Sequence, residues 1–334
     1  MLSYAIKGFM IGIANVIPGV SGGTMALMLG IYERLLAAIA HIHLENIKQI
    51  ISLIVKMDLP ALWILLKRLD MVFVGAIGTG AICAIVATSR LITYLITHWH
   101  DPIYGFFAGL VLTSVYVPLK MMKRRMNVVG VCCLLCAALL TLATTTSMTG
   151  SEKLERAEKK VELRSQQHAA TADGSTTTGY LADHSLKNLG FILFASMISI
   201  SAMILPGISG AFVLLLMGVY FEVLGAIAAR DLTLVSVVAL GSVLGILIFT
   251  RILNYLLERY HDETVSSLVG LMIGSLYSLW PFQGYAMVGG KRIDLEAILP
   301  VYNYNFLVTV ITFVLAGALV IGFIRYQERS LSSS

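Results

Sequence analysis

Six apolar segments of near-spanning length punctuate the chain, at about 71–97, 103–119, 128–147, 232–257, 265–281 and 305–324. A helix rises ~1.5 Å per residue, so ~20 apolar residues cross a bilayer. These segments predict six transmembrane helices. Ahead of each set of three lies a pair of shorter apolar arms, 4–17 with 24–39 and 189–205 with 211–228. At ~14–18 residues, each arm is marginal or short for a crossing. Two stretches depart from the apolar pattern. Residues 40–70 mix charges with apolar positions and predict amphipathic helices at the membrane surface. Residues 148–187 carry SEKLERAEKKVELRSQQ at 151–167, which predicts a short charged helix, and continue as a small, polar loop.

Each pair of arms is joined by the same interruption, Pro-Gly-x-Ser-Gly. Residues 18–39 read PGVSGGTMALMLGIYERLLAAI, and residues 206–227 read PGISGAFVLLLMGVYFEVLGAI. At an offset of 188, ten of these twenty-two positions are identical, among them Gly30/Gly218 and Tyr32/Tyr220. The repeat extends further. Arg90, Tyr94, Leu95, His100 and Asp101 match Arg251, Tyr255, Leu256, His261 and Asp262 at an offset of 161. The offset falls by 27 because the first half carries the extra residues within 40–70.

Proline removes a backbone donor and glycine loosens a helix. Non-helical backbone at membrane depth is tolerated only where it is buried in protein or lines a wet cavity. Each pair of arms therefore predicts a re-entrant helical hairpin with its tip near mid-membrane, and a single kinked spanning helix is the competing reading. Three crossings per half is an odd number, so the second half sits upside down. The predicted fold is an all-α polytopic membrane protein of inverted repeats, each a re-entrant helical hairpin plus three transmembrane helices. The first repeat takes 1–147, with its hairpin at about 4–39 and the amphipathic insertion at 40–70. A charged external loop takes 148–187, and the second, inverted repeat takes 188–334.

Composition sharpens the class. The chain is 57% hydrophobic and 13% charged, with a mean hydropathy of +0.84; soluble domains carry roughly a quarter charged residues. The net charge of +5 suits juxtamembrane Lys and Arg, and no dense basic and aromatic patch points to nucleic acid. The KMMKRR run at 120–125 is the strongest anchor, and it places both termini in the cytoplasm. Lys7 followed by an apolar stretch has the look of a signal peptide. No Ala-x-Ala-like site follows, and its repeat partner is internal, so the stretch is expected to stay as structure. Cys83, Cys132, Cys133 and Cys136 all lie in apolar segments and read as small apolar filler, with no metal site. No cofactor is expected. The sequence leaves the oligomeric state open, a homo-oligomer included.

The breaks are the candidate chemistry. After each, a helix begins at Ser21-Gly22-Gly23-Thr24 or Ser209-Gly210-Ala211. A helix start offers free N–H groups, which suit an anion, and Ser21, Thr24 and Ser209 add hydroxyls. A tight helix crossing is the competing reading of such glycines. Arg90 and Arg251 sit about seven residues inside their spans. Arginine in hydrocarbon costs at least ~2.5 kcal/mol unless it snorkels or is paired. Its planar fork suits phosphate, so both are assigned to an anion or to a structural pair, against plain interfacial anchoring. Glu33 and Glu222 lie in the later part of the second arms, where they pair with the arginines, carry a proton, or simply face the interface. Asp101 and Asp262 read as helix caps. Gly-x-Ser-Gly also occurs in intramembrane serine proteases, but none of the seven histidines occupies a span core to serve as base. The protein is not expected to be an enzyme.

The block IANVIPGVSGGTMALMLGIYERLLAAI, its echo ILPGISGAFVLLLMGVY and the Arg-bearing helices resemble the bacterial family of PopT-like polyprenyl-phosphate transporters. The resemblance covers nearly the whole chain, except the charged loop 148–187. It implies a translocase returning undecaprenyl phosphate from the outer to the inner leaflet of the bacterial cytoplasmic membrane. The headgroup site it implies is Pro18, Gly19, Ser21, Gly22, Gly23 and Thr24 with Pro206, Gly207, Ser209 and Gly210. Arg90 and Arg251 join it on the physical argument above. The second motif departs from the first at Ala211 and Phe212, so the two tips are unequal. A transporter of a soluble organic anion and a non-transporting envelope scaffold remain the alternatives.

Overall fold

The computed structural model describes residues 2–16, 21–40, 42, 44–123, 126–147, 149–172, 183–289 and 291–332. Pro18 and Gly19 of the first break, Arg124 and Arg125 of the basic run, and residues 173–182 of the polar loop lie outside the described residues.

The two halves use the same succession of elements. In the first, α1 (Leu2–Val16) leads through the break to α2 (Gly22–Met28) and α3 (Tyr32–Ala40). The insertion forms α4 (Leu44–Val55) and α5 (Leu59–Arg68). Then come α6 (Met71–His98), α7 (His100–Ser114), its short continuation α8 (Tyr116–Met121), and α9 (Val128–Thr146). The charged segment is α10 (Gly150–Ala172). The second half runs α11 (Leu186–Ile204), α12 (Gly210–Leu216), α13 (Tyr220–Ala229), α14 (Leu232–Arg259), α15 (His261–Ser275) and α16 (Tyr304–Ser332). The counterparts α6 and α14 are each 28 residues long, and α7 and α15 are each 15.

Among the described residues, six helices are long and apolar enough to cross a bilayer, with α7 and α8 taken as one: 71–88, 100–121, 128–146, 186–204, 232–259 and 304–325; the bent pairs α2–α3 and α12–α13 bring the number to eight if each is one span. This set differs from the predicted one at two places. At 19 residues α11 reaches spanning length, and at 15 residues α15 falls short of it. The large apolar side chains left outside, such as Leu139, Val243 and Leu319, lie on α9, α14 and α16. In water such a belt is untenable, and hydrocarbon satisfies it.

The second arm of each pair is where sequence and structure part. Residues 24–39 and 211–228 read as single helices, but each is folded in two, with bends of 116° between α2 and α3 and 114° between α12 and α13. The cause is local. Gly30 and Gly218 take φ of +65° and +78°, which only glycine adopts without strain. The Gly30 N–H returns to Leu27 and that of Ile31 to Ala26; Gly218 and Val219 repeat this on Leu215 and Leu214. This is the helix-terminating motif that satisfies the last carbonyls.

An antiparallel hairpin, β1 (Gln283–Val288) and β2 (Lys291–Ala297), stands between α15 and α16. Tyr285 pairs with Asp294 and Met287 with Arg292. Helix α10 packs on it, with Lys153 Nζ donating to the Leu295 carbonyl.

Packing crosses between halves. Helix α1 lies along α6, and α11 along α14. Helix α9 of the first half packs on α15 of the second, while α16 packs on α7. The main core accordingly mixes the halves, with Leu27, Leu29 and Val111 against Leu268, Val269 and Met272.

Candidate substrate site between the two breaks

The two breaks touch. Ser21 stands at the head of α2 in extended conformation, and its Oγ accepts from the Thr24 N–H at 3.2 Å. The same oxygen lies 3.1 Å from Thr24 Oγ1 and accepts from the Gly207 N–H at 3.3 Å. One hydroxyl thus caps its own helix and holds the opposite break. Tyr32 Oη donates to the Ile204 carbonyl at 3.2 Å, a second tie between halves. Gly23 makes the approach possible, because a Cβ there would sit 2.5 Å from the Ile204 carbonyl oxygen.

The tips are unequal in a definite way. At the first, Gly22 N–H donates to Asn15 Oδ1 at 3.0 Å, so Asn15 and Ser21 between them satisfy two donors of α2. At the second, Ser209 makes no capping bond and is exposed. The N–H groups of Gly210, Ala211 and Phe212 have no hydrogen-bond partner among the described residues. The hydroxyls gather at the first break, and the open amides lie at the second. Pro206 and Gly210 are buried. Asn15 was not singled out from sequence, although a lone amide three residues ahead of Pro18 in an apolar arm is a visible signal.

The charged candidates lie elsewhere. Arg251 Nη2 donates to the Ile42 carbonyl at 2.6 Å, and its Nε to that of Ala40 at 3.4 Å. The guanidinium thus sits at the C-terminal end of α3, where unpaired carbonyls favour a cation. Arg90 is exposed on α6 and has no hydrogen bond or ion pair among the described residues. Glu33 meets His261 Nε2 at 3.0 Å in place of an arginine. Glu222 accepts from Asn188 Nδ2 at 2.6 Å. Lys7 reaches from α1 to the Leu29 carbonyl at 3.1 Å, holding the end of α2.

Asp101 and Asp262 do not cap α7 and α15; they reach sideways. Asp101 accepts from Asn305 at the start of α16 and Asp262 from the Lys123 N–H ahead of α9. On the hairpin side His100 lies between Asp101, at 2.9 Å, and Asp294, at 3.0 Å. Arg292 donates to Asp294 at 2.8 Å and lies over the Tyr285 ring. Burial alone would raise the Asp294 carboxyl, but the bonds from His100 and Arg292 outweigh it and hold it below the ordinary Asp range. Among the described residues no group of three or more His, Cys, Asp or Glu is placed to hold a metal ion.

Six helices of spanning length and two interruptions of matched sequence in contact define a multi-pass membrane protein with internal sequence repeats, a pattern found in many transporters. The chain matches the VCA0040-like family, described as undecaprenyl phosphate translocase-like, over residues 11–297, and belongs to it. It is 31% identical to the polyprenyl-phosphate transporter of Vibrio cholerae serotype O1, over 98% of this chain and 97% of that protein. It is 29% identical to the polyprenyl-phosphate transporter of Staphylococcus aureus, over 83% of this chain and 85% of that one. Both relatives are transporters by name, a non-enzymatic role. No solved structure matches the chain.

Proposed function

We propose that this protein returns undecaprenyl phosphate from the outer to the inner leaflet of the bacterial cytoplasmic membrane. The phosphate binds between the two breaks, and the isoprenoid tail stays in lipid. The observation that carries this reading is the bond from Gly207 N–H to Ser21 Oγ, which joins two breaks of matched sequence. At this point the hydroxyls of Ser21 and Thr24 and the open amides of Gly210, Ala211 and Phe212 can converge on one anion. Helices α2 and α12 are only seven residues each. The anion is therefore held by individual N–H and O–H groups more than by a macrodipole.

In this reading the halves are inverted repeats, α1–α3 and α11–α13 are re-entrant even though α11 is long enough to span, and both termini are cytoplasmic. Arg90, with no hydrogen bond or ion pair among the described residues, receives the incoming headgroup. Arg251 has the equivalent task at the opposite face. Glu33 and Glu222 sit beside these approaches and are placed to carry a proton or to pair.

Reconstitution tests it. Liposomes holding the protein and labelled undecaprenyl phosphate are assayed for loss of label from one leaflet. Ser21→Ala removes one hydroxyl that serves both tips and is expected to slow the loss about tenfold, the weight of a hydrogen bond to a charged group. A rate unchanged from wild type removes the headgroup from the breaks. Transport of a water-soluble organic anion with no movement of the lipid would favour the alternative substrate.

A further inference from the structure

Some contacts recur in both halves, and some occur in one half only. Recurring are the packing of α1 on α6 and of α11 on α14, and that of α16 on α7 and of α9 on α15. The aspartate bonds to Asn305 and Lys123 recur likewise. The contacts of α3 with α14 do not. Helix α3 packs broadly against α14, Arg251 holds the carbonyls of Ala40 and Ile42, and His261 holds Glu33. Among the described residues α6 and α13, the counterparts, have no comparable packing. Arg90 has no partner there, His100 is turned to Asp294, and Glu222 is held by Asn188.

Like sequences in unlike contacts are what a two-state element looks like when caught in one state. The partners needed for the missing contacts are all present. By the repeat offsets Arg90 corresponds to Arg251 and His100 to His261, and the end of α13 corresponds to the end of α3. Glu222 stands one position from the counterpart of Glu33.

We propose that the protein has a second state in which these contacts exchange. Arg90 takes the carbonyls at the end of α13, His100 takes Glu222, and α6 closes on α13. Arg251 and His261 then release α3, and α14 parts from it. The state described here is closed at the α3–α14 end and open at the α6–α13 end. Each arginine alternates between helix-end carbonyls and the approach to the breaks. The two states form chemically alike bonds, so they lie close in free energy, and a bound anion can tip them. With the N-terminus cytoplasmic, the open end faces outward. The inference rests on the translocase reading for its purpose, but its geometry can be tested apart from it.

The test uses the full-length protein with its four cysteines replaced by serine, in detergent and in liposomes. One variant carries Glu33→Cys with His261→Cys and another His100→Cys with Glu222→Cys; each is treated with a short bifunctional thiol reagent. Both pairs are expected to cross-link. Adding Arg251→Ala should shift the ratio of yields toward the 100–222 pair by about tenfold, and adding Arg90→Ala should shift it the other way by a similar factor. Ala40→Cys with Arg251→Cys, and Ala229→Cys with Arg90→Cys, report the same two states independently where a first variant fails to fold. Cross-linking confined to the α3–α14 pairs overturns the exchange, as does formation of both cross-links in one four-cysteine molecule. Opposite shifts without movement of undecaprenyl phosphate leave the exchange standing and remove the lipid. Lipid movement with cross-links at one end only does the reverse.

Discussion

Ser21 and Gly23 bring the two halves together, and they do so differently. Ser21 contributes a hydroxyl shared between the Thr24 and Gly207 amides. Gly23 contributes only the absence of a side chain, which lets the Ile204 carbonyl approach. Gly23→Ala forces backbone apart at the contact, and overpacking of this kind costs ~1–3 kcal/mol. Thermal unfolding in detergent should register that loss, together with slower lipid movement. A Gly23→Ala protein as stable and active as wild type would mean the breaks do not meet here. At this scale the sequence was legible where a residue's role is local. The duplicated Pro-Gly-x-Ser-Gly singled out Ser21 and Gly207, which are in contact; Gly23 follows the first motif directly and has no glycine counterpart in the second. It could not say that Arg251 lands on the carbonyls of Ala40 and Ile42, because that partner is 209 to 211 residues away and is set by packing.

The bends at Gly30 and Gly218 are the clearest case at the level of elements. Both glycines were among the ten identities, yet an unbroken apolar run hides a bend. Hydropathy does not change at a turn that stays inside protein. An added Cβ meets nothing within 4 Å at either glycine. Gly30→Ala and Gly218→Ala should therefore each cost about 1 kcal/mol from backbone strain alone. Equal costs, measured by thermal unfolding, test the equivalence of the two bends. The hairpin β1–β2 was missed although Gly289-Gly290 between short polar-apolar runs is a recognised turn signal. Its shortest hold on α7 is Asp294 on His100, with the longer Arg292–Asp101 pair at 3.7 Å beside it. The Asp294 carboxyl is depressed in the folded protein, so it stabilises above the ordinary Asp value of about 3.9, and its contribution is lost as pH falls through the lower folded value. Proteolytic nicking of the hairpin should stay low down to about pH 4 and rise below it. In Asp294→Asn it should be raised already at neutral pH and change little with acid. The reverse pattern would place the latch elsewhere.

For the molecule as a whole, five of the six helices of spanning length were legible from length and apolarity; α11 read as a short arm and 265–281 as a span, because an apolar run does not mark where its helix starts and stops. The interleaving of α9 with α15 and of α16 with α7 was not legible, since these contacts join segments far apart in sequence. Through that interleaving each half holds a helix of the other, which in the proposed mechanism keeps the halves together as they rock. The central claim is that such rocking carries a lipid phosphate through the point where Ser21 meets Gly207. The most direct measurement is loss of labelled undecaprenyl phosphate from one leaflet of liposomes carrying purified protein. Wild type should move it well above empty liposomes, Ser21→Ala about tenfold more slowly than wild type. Wild-type liposomes indistinguishable from empty ones would contradict the account.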